Sequence, residues 1–231
     1  MTKIRWKLLM KAMGFEPSLD CYEKLYTAYT EKHRYYHTIQ HIKAMLNHFD
    51  NVIDTIERPE EMELAIWFHD AIYKTLSKTN ELDSANWARK FLYSKGYEKI
   101  GVERIFNLIL ATQHNGELKT NDEKIIVDID LTILGTSPEV YDEFERNIRK
   151  EYKIVPSFIY RKKRKQLLKS FLSKDTIYNM DYFKNKYEKA VKENIQNGYV
   201  PKAAMKLVNR VDINKNKQVL KPVLNKVKKE G

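Results

Sequence analysis

The chain has 231 residues, 42% hydrophobic and 32% charged, which predicts a water-soluble globular protein with a sizeable core; its single Cys21 excludes an intramolecular disulfide and fits a reducing compartment. The formal net charge of +11 is uneven: residues 200–231 hold eight Lys and one Arg against Asp212 and Glu230, a net +7, and the other 199 residues carry only +4. No segment is apolar enough to span a bilayer, and Met1–Lys11 lacks the apolar region and cleavage site of a signal peptide, so the cytoplasm is the expected location.

With only 7 Gly and 6 Pro, the chain suits long helices. Ser18 is expected to cap a short helix bearing Leu19, Tyr22, Leu25, Tyr26 and Tyr29 on one face. A polar, His-rich segment, Glu31–Gln40, follows. Ile39, Ile42, Met45, Leu46, Phe49, Val52, Ile53 and Ile56 then recur at helical spacing. Pro59 suits the first position of the next helix. That helix carries Met62, Leu64, Ala65, Ile66, Trp67 and Phe68, apolar almost all round, and ends on His69-Asp70.

Asn80 is expected to cap a helix through Ala85, Trp87, Ala88, Phe91 and Leu92, with Gly96 past its end. Val102, Ile105, Phe106, Ile109 and Leu110 form another helix, and Gly116 marks a turn. Ile125–Leu134 is dense in β-branched residues and could be a strand. Gly135 as a C-cap and the helical neighbours favour a buried helix. Ser137-Pro138 starts a helix with Val140, Tyr141, Phe144 and Ile148; Ser157 caps one through Leu167, Leu168, Phe171 and Leu172; Tyr182, Phe183, Tyr187, Val191 and Ile195 mark a last one, ending at Asn197-Gly198. Past Pro201 only Val219–Val227 hints at an amphipathic piece. The expected fold is all-α, with a domain over residues 1–198 and a basic extension over 199–231.

An imidazole and a carboxylate at the end of an apolar helix need a partner, and a divalent cation satisfies both. Two adjacent groups cannot complete a coordination sphere, so further ligands are sought among the other histidines, at 33, 37, 41, 48 and 114, and the buried acids. His33 and His48 read as packed or exposed side chains. His37 and His41 are four apart, on one face if their helix begins that early. Ile42, Met45, Leu46 and Phe49 hold His41 against the core. Asp130, inside Val127-Asp128-Ile129-Asp130-Leu131, needs either a metal or an arginine. His41, His69, Asp70 and Asp130 together would leave positions open for water and substrate, as a catalytic metal site requires.

The order His … His-Asp … Asp on a helical chain resembles the HD superfamily of metal-dependent phosphohydrolases. Arg34-Tyr35-Tyr36-His37-Thr38-Ile39-Gln40-His41-Ile42, Phe68-His69-Asp70-Ala71-Ile72-Tyr73, Asn80-Glu81 with Ser84-Ala85, Ala111-Thr112-Gln113-His114 and Asp128–Gly135 are similar to one bacterial branch of it. The likeness extends through Ile148–Tyr152 and Ile177-Tyr178 and so covers roughly residues 1–198. It implies an HD-type helical bundle with additional C-terminal helices, with His41, His69, Asp70 and Asp130 as ligands of a divalent ion: Mn, Co, Zn, Mg or Fe. His41 is preferred to His37 because an apolar residue, Met45, follows it by one turn.

The implied reaction is hydrolysis of a small phosphate ester, with a nucleotide as one candidate, by metal-activated water held by Asp70. Some branches place an acid just after the His-Asp pair; here Ala71, Ile72, Tyr73 and Lys74 stand there. Either Glu81 takes that role from the next helix, or metal-bound hydroxide acts with no separate base and Glu81 serves only as part of its helix's N-terminal cap. His37 and Arg34 would bind the phosphoryl group, and His114 would protonate the leaving oxygen or simply close its helix. Asp128, about 200° round the helix from Asp130, would anchor a neighbouring His or Arg. Two competing functions remain. One is a di-iron oxygenase, with His37 and His114 as extra ligands. The other is a nucleic-acid-binding protein with a vestigial site, resting on the basic extension and on Arg161-Lys162-Lys163-Arg164-Lys165.

Overall fold

A computed structural model of the chain describes residues 2–17 and 19–198. The expected cap at Ser18 and the basic extension over 199–231 lie outside the described residues. Every regular element among the described residues is helical, and the fold is an all-α bundle. Its helices are α1 (Lys3–Ala12), α2 (Leu19–Ala28), α3 (Ile39–Val52), α4 (Pro59–Phe68), α5 (Asn80–Ser94), α6 (Lys99–Ala111), α7 (Asn121–Leu131), α8 (Pro138–Glu151), α9 (Ser157–Leu172) and α10 (Asp181–Gly198). Short 3-10 turns, Ile53–Thr55 and Thr132–Gly135, extend α3 and α7. No described helix is long and apolar enough to cross a membrane.

The bundle is built around α4. Met62, Leu64, Ala65, Ile66, Trp67 and Phe68 are all fully buried, as their apolar run requires. Burying each large side chain contributes roughly 2 kcal/mol. Helices α1, α3, α5, α6 and α7 all pack on α4. Trp6 of α1 meets Trp67 edge-on at 5.1 Å. Arg5 bridges Asp50 on α3 and Glu63 on α4, both part of the same cover.

Polar contacts fix where α4 and α7 begin, and therefore how far each reaches. Thr120 and Glu123 form a reciprocal capping box that starts α7. Asp122, one residue earlier than Glu123, accepts hydrogen bonds from the backbone N–H groups of Glu57 and Arg58 at 2.9 and 3.1 Å. That locks the start of α4 to the start of α7. Both helices are about the same length, so their far ends, His69-Asp70 and Asp130, lie side by side.

Three expected caps differ in detail. Asn80 opens α5, yet its side chain instead clamps both the N–H and the carbonyl of Lys74. Ser84 accepts from Ile72 N–H at 2.9 Å, so α5 fastens the loop after the His-Asp pair in two places. Ser157 is the first residue of α9 and accepts from Arg149 rather than capping. Gly135 does not cap α7, which ends at Leu131. It is there for space: a methyl group would sit 2.7 Å from Tyr187 Cβ and 2.9 Å from Tyr178 Oη. Gly96, by contrast, has φ +69 and closes α5 as expected.

Candidate metal centre

Three helix ends bring the ligand types together. His41 lies in the first turn of α3, His69 and Asp70 follow the last turn of α4, and Asp130 is one residue from the end of α7. One ligand atom each from His41, His69 and Asp130 lie within 4.8 Å of one another, and the group could hold a metal ion. His41 Nε2 is 3.1 Å from His69 Nε2 and 3.2 Å from Asp130 Oδ1. Asp70 Oδ2 lies 3.0 Å from His69 Nε2 and 3.7 Å from His41 Nε2.

The donor set fits a cation. The Ile66 carbonyl only accepts, so His69 Nδ1, 2.9 Å away, carries the proton and Nε2 faces the cluster. At 3.1 Å apart, the two Nε2 atoms cannot both carry protons. One proton leaves two carboxylates and a second nitrogen underserved, whereas a divalent ion would satisfy His41, His69 and Asp130 together, with Asp70 beside them.

The electrostatics agree. Burial opposes protonation of His69, but Asp70 and Asp130 outweigh it and push its pKa up to about 9. Burial lowers that of His41 despite the pull of Asp130. Burial disfavours the charged form of Asp70, yet His69, His37 and His41 hold it well below the carboxylate range. Asp130 is likewise held down against burial, by His114 and His41. Two carboxylates stay ionised in a buried pocket, which is the charge pattern a cation site presents.

The remaining candidates fall into two groups. His114 and Glu81 stay beside the cluster. His114 Nε2 donates to Asp130 Oδ2 at 2.8 Å, turning Oδ1 toward His41. It holds this position with φ 58, a left-handed conformation that a histidine adopts at a cost. Glu81, in the first turn of α5, has its pKa raised by burial and by the charge of Asp70. His37 precedes α3, which starts at Ile39, so it shares no helical face with His41. Its ring is still 6.1 Å from that of His41.

Arg34 and Asp128 do other work. The Arg34 side chain is fully buried, and its donors are taken: Nε by Glu31, Nη1 by the carbonyls of Asp70 and His37, Nη2 by that of Ala71. It shapes the loop carrying the His-Asp pair and cannot reach a substrate. Asp128 anchors neither a His nor an Arg. It accepts from the N–H groups of Asn179 and Met180 and from Asn179 Nδ2, at 2.7–2.9 Å, tying the start of α10 to α7. The half-turn between Asp128 and Asp130 sends the two carboxylates to opposite sides of α7.

Glu151 is the site residue that sequence reasoning passed over. Its fully buried carboxylate accepts from the N–H groups of Tyr35, Tyr36 and His37, from His37 Nδ1 at 2.7 Å and from Tyr73 Oη at 2.9 Å. Burial opposes its ionisation, but His37 and these amides bring its pKa down to about 2. A signal existed: Tyr141, Phe144, Ile148 and Glu151 continue one buried stripe along α8. Its neighbours Arg149 and Lys150 disguise it as a surface acid.

His41 and Asp130 also line a cleft of about 570 Å³ between α3, the end of α7 and α8. The run Arg161–Lys165 lies on α9, where Arg161, Lys162 and Lys163 are exposed and Arg164 is paired with Glu145. No protein-family model, curated protein or solved structure matches the chain.

Proposed function

We propose that the chain is a metal-dependent phosphohydrolase of the HD type, acting on a small phosphate ester. The observation that carries this is the meeting of His41, His69 and Asp130, with Asp70 beside them, where His41 and Asp130 also line a cleft large enough for a small molecule. Those four side chains would hold one divalent ion. Two imidazoles and two carboxylates suit zinc, manganese, cobalt or iron better than magnesium. Such an ion, when bound, acidifies water and draws off phosphoryl charge.

The chain's own groups have separable tasks. The Ile66 carbonyl fixes which nitrogen of His69 faces inward, and His114 fixes which oxygen of Asp130 does. Arg34 holds the backbone of Asp70 and Ala71 in place. Glu151 orients the His37 ring through Nδ1, which leaves Nε2 available for the substrate. Glu81, with its carboxyl pKa raised, is placed to exchange a proton near Asp70 and His114.

The test is a panel of phosphate esters and nucleotides assayed with zinc, manganese, cobalt, iron and magnesium. Hydrolysis that needs an added ion and disappears in Asp70→Ala is expected. Turnover indifferent to that substitution would remove the mechanism, and two irons per chain would favour oxygenation instead.

A further inference from the structure

The cleft beside His41 and Asp130 constrains what the substrate carries besides its phosphate; this rests on the phosphohydrolase reading. The cleft has a volume of about 570 Å³, in the range of small-molecule sites. Among the described residues that line it there is neither a lysine nor an arginine, in a chain holding 42 of them. Its fixed charges are the carboxylates of Asp130 and Glu143. Its walls are otherwise apolar or neutral, with Tyr36, Met45, Ile129 and Val140 giving apolar contact.

Two further observations sharpen this. His48 lines the cleft, and its Nδ1 is buried with no hydrogen-bond partner. Burial, with Lys186 nearby, lowers its pKa, so the ring is neutral and suited to an uncharged hydroxyl or amide. Lys150 stands at the rim. Its ammonium is not part of the lining but is engaged by two residues that are, bonding Asn147 Oδ1 at 3.0 Å and lying over the Tyr35 ring. With Asp130 engaged by the ion, a second anionic group in the cleft would meet the Glu143 carboxylate and, among the described lining residues, no lysine or arginine to balance it, which is costly where water is excluded.

We infer that the half of the substrate seated in this cleft is uncharged, so the enzyme takes phosphate monoesters of neutral, largely apolar alcohols and discriminates against those with a second anionic group. Recognition of the phosphate falls to the ion site, and recognition of the alcohol falls to shape and to neutral hydrogen bonds.

A matched pair of hydrolysis-inert probes tests this: benzylphosphonate and 4-carboxybenzylphosphonate, titrated calorimetrically into the full chain loaded with zinc or manganese. The two differ by one charge at the far end of the ring. The neutral-ring probe is expected to bind at least about tenfold more tightly. Val140 is 45% exposed, so Val140→Lys is accommodated and supplies the missing cation. That variant is expected to close or reverse the gap. Equal or tighter binding of the carboxylated probe to the native chain would overturn the inference, as would no binding of either. If the gap appears but phenyl phosphate is never hydrolysed, the phosphohydrolase reading fails while the cleft assignment stands.

Discussion

Two buried clusters of acids and imidazoles stand side by side in this protein, and only one of them is complete. Around Glu151 every acceptor has a protein donor: three backbone amides, His37 Nδ1 and Tyr73 Oη. Around Asp130 and Asp70 the acceptors outnumber the donors, and two ring nitrogens point at each other across 3.1 Å. The residue types are the same. The count of protons differs, and that count separates an internal clamp from a place for an ion. A histidine near a carboxylate is therefore uninformative until the other nitrogen of its ring is accounted for. In His69 it is held by the Ile66 carbonyl, which turns the free nitrogen inward.

The contrast is broken most severely by removing a member of the open cluster. Asp130→Ala is expected to abolish metal retention after dialysis while leaving the helical circular dichroism intact, since Asp130 supports no backbone. His114→Ala removes only the orienting bond to Asp130, and a loss of roughly ten- to a hundredfold in metal affinity is expected by competition with a chelator.

The closed cluster should respond in the opposite sense. Glu151→Gln places an amide against three backbone donors and is expected to cost on the order of 3 kcal/mol in denaturant unfolding. The same carboxylate gives a pH signature. Its folded pKa is about 2 against an ordinary value of 4.5, so the unfolded chain binds the extra proton between them. Its stabilisation is complete above about pH 4.5 and is lost as the pH falls toward 2. Acid titrations of stability should show that slope, and Glu151→Gln should flatten it.

The smallest effect is expected from the twin on α7. Asp128→Ala strips three hydrogen bonds from the start of α10 and should cost about 1–3 kcal/mol, with metal content unchanged. A loss of metal in this variant would show that the two faces of α7 are not independent.

How much of this was readable from the sequence depends on range. Helices α2 to α10 were, because their apolar periodicity is local, and α4 announced its burial by being apolar on all sides; α1 was not, its buried Trp6, Leu9 and Met10 standing among lysines and an arginine. His69 and Asp130 were readable for the same reason, each standing in or at the end of an apolar run; His41 was chosen through the resemblance, with Met45 one turn on. Partners across the fold were not. The Asp128 bond to Asn179 spans 51 residues, and nothing near Asp128 distinguishes a loop amide from an imidazole as its partner. Arg34 lies in a loop without periodicity, so its burial against the carbonyls of Asp70 and Ala71 had no local signal. Gly135 was read as a cap because that is the usual role of glycine after a helix; the close passage of Tyr178 and Tyr187 is a tertiary fact.

The most direct test is the metal stoichiometry of the full chain, stripped with a chelator, reloaded with zinc or manganese, dialysed and analysed alongside His69→Ala and Glu151→Gln. One ion per chain is expected in the native protein and in whatever fraction of Glu151→Gln remains folded, and none in His69→Ala. An ion retained without His69, or no ion held by the native chain, would contradict the assignment of His41, His69 and Asp130 as its seat.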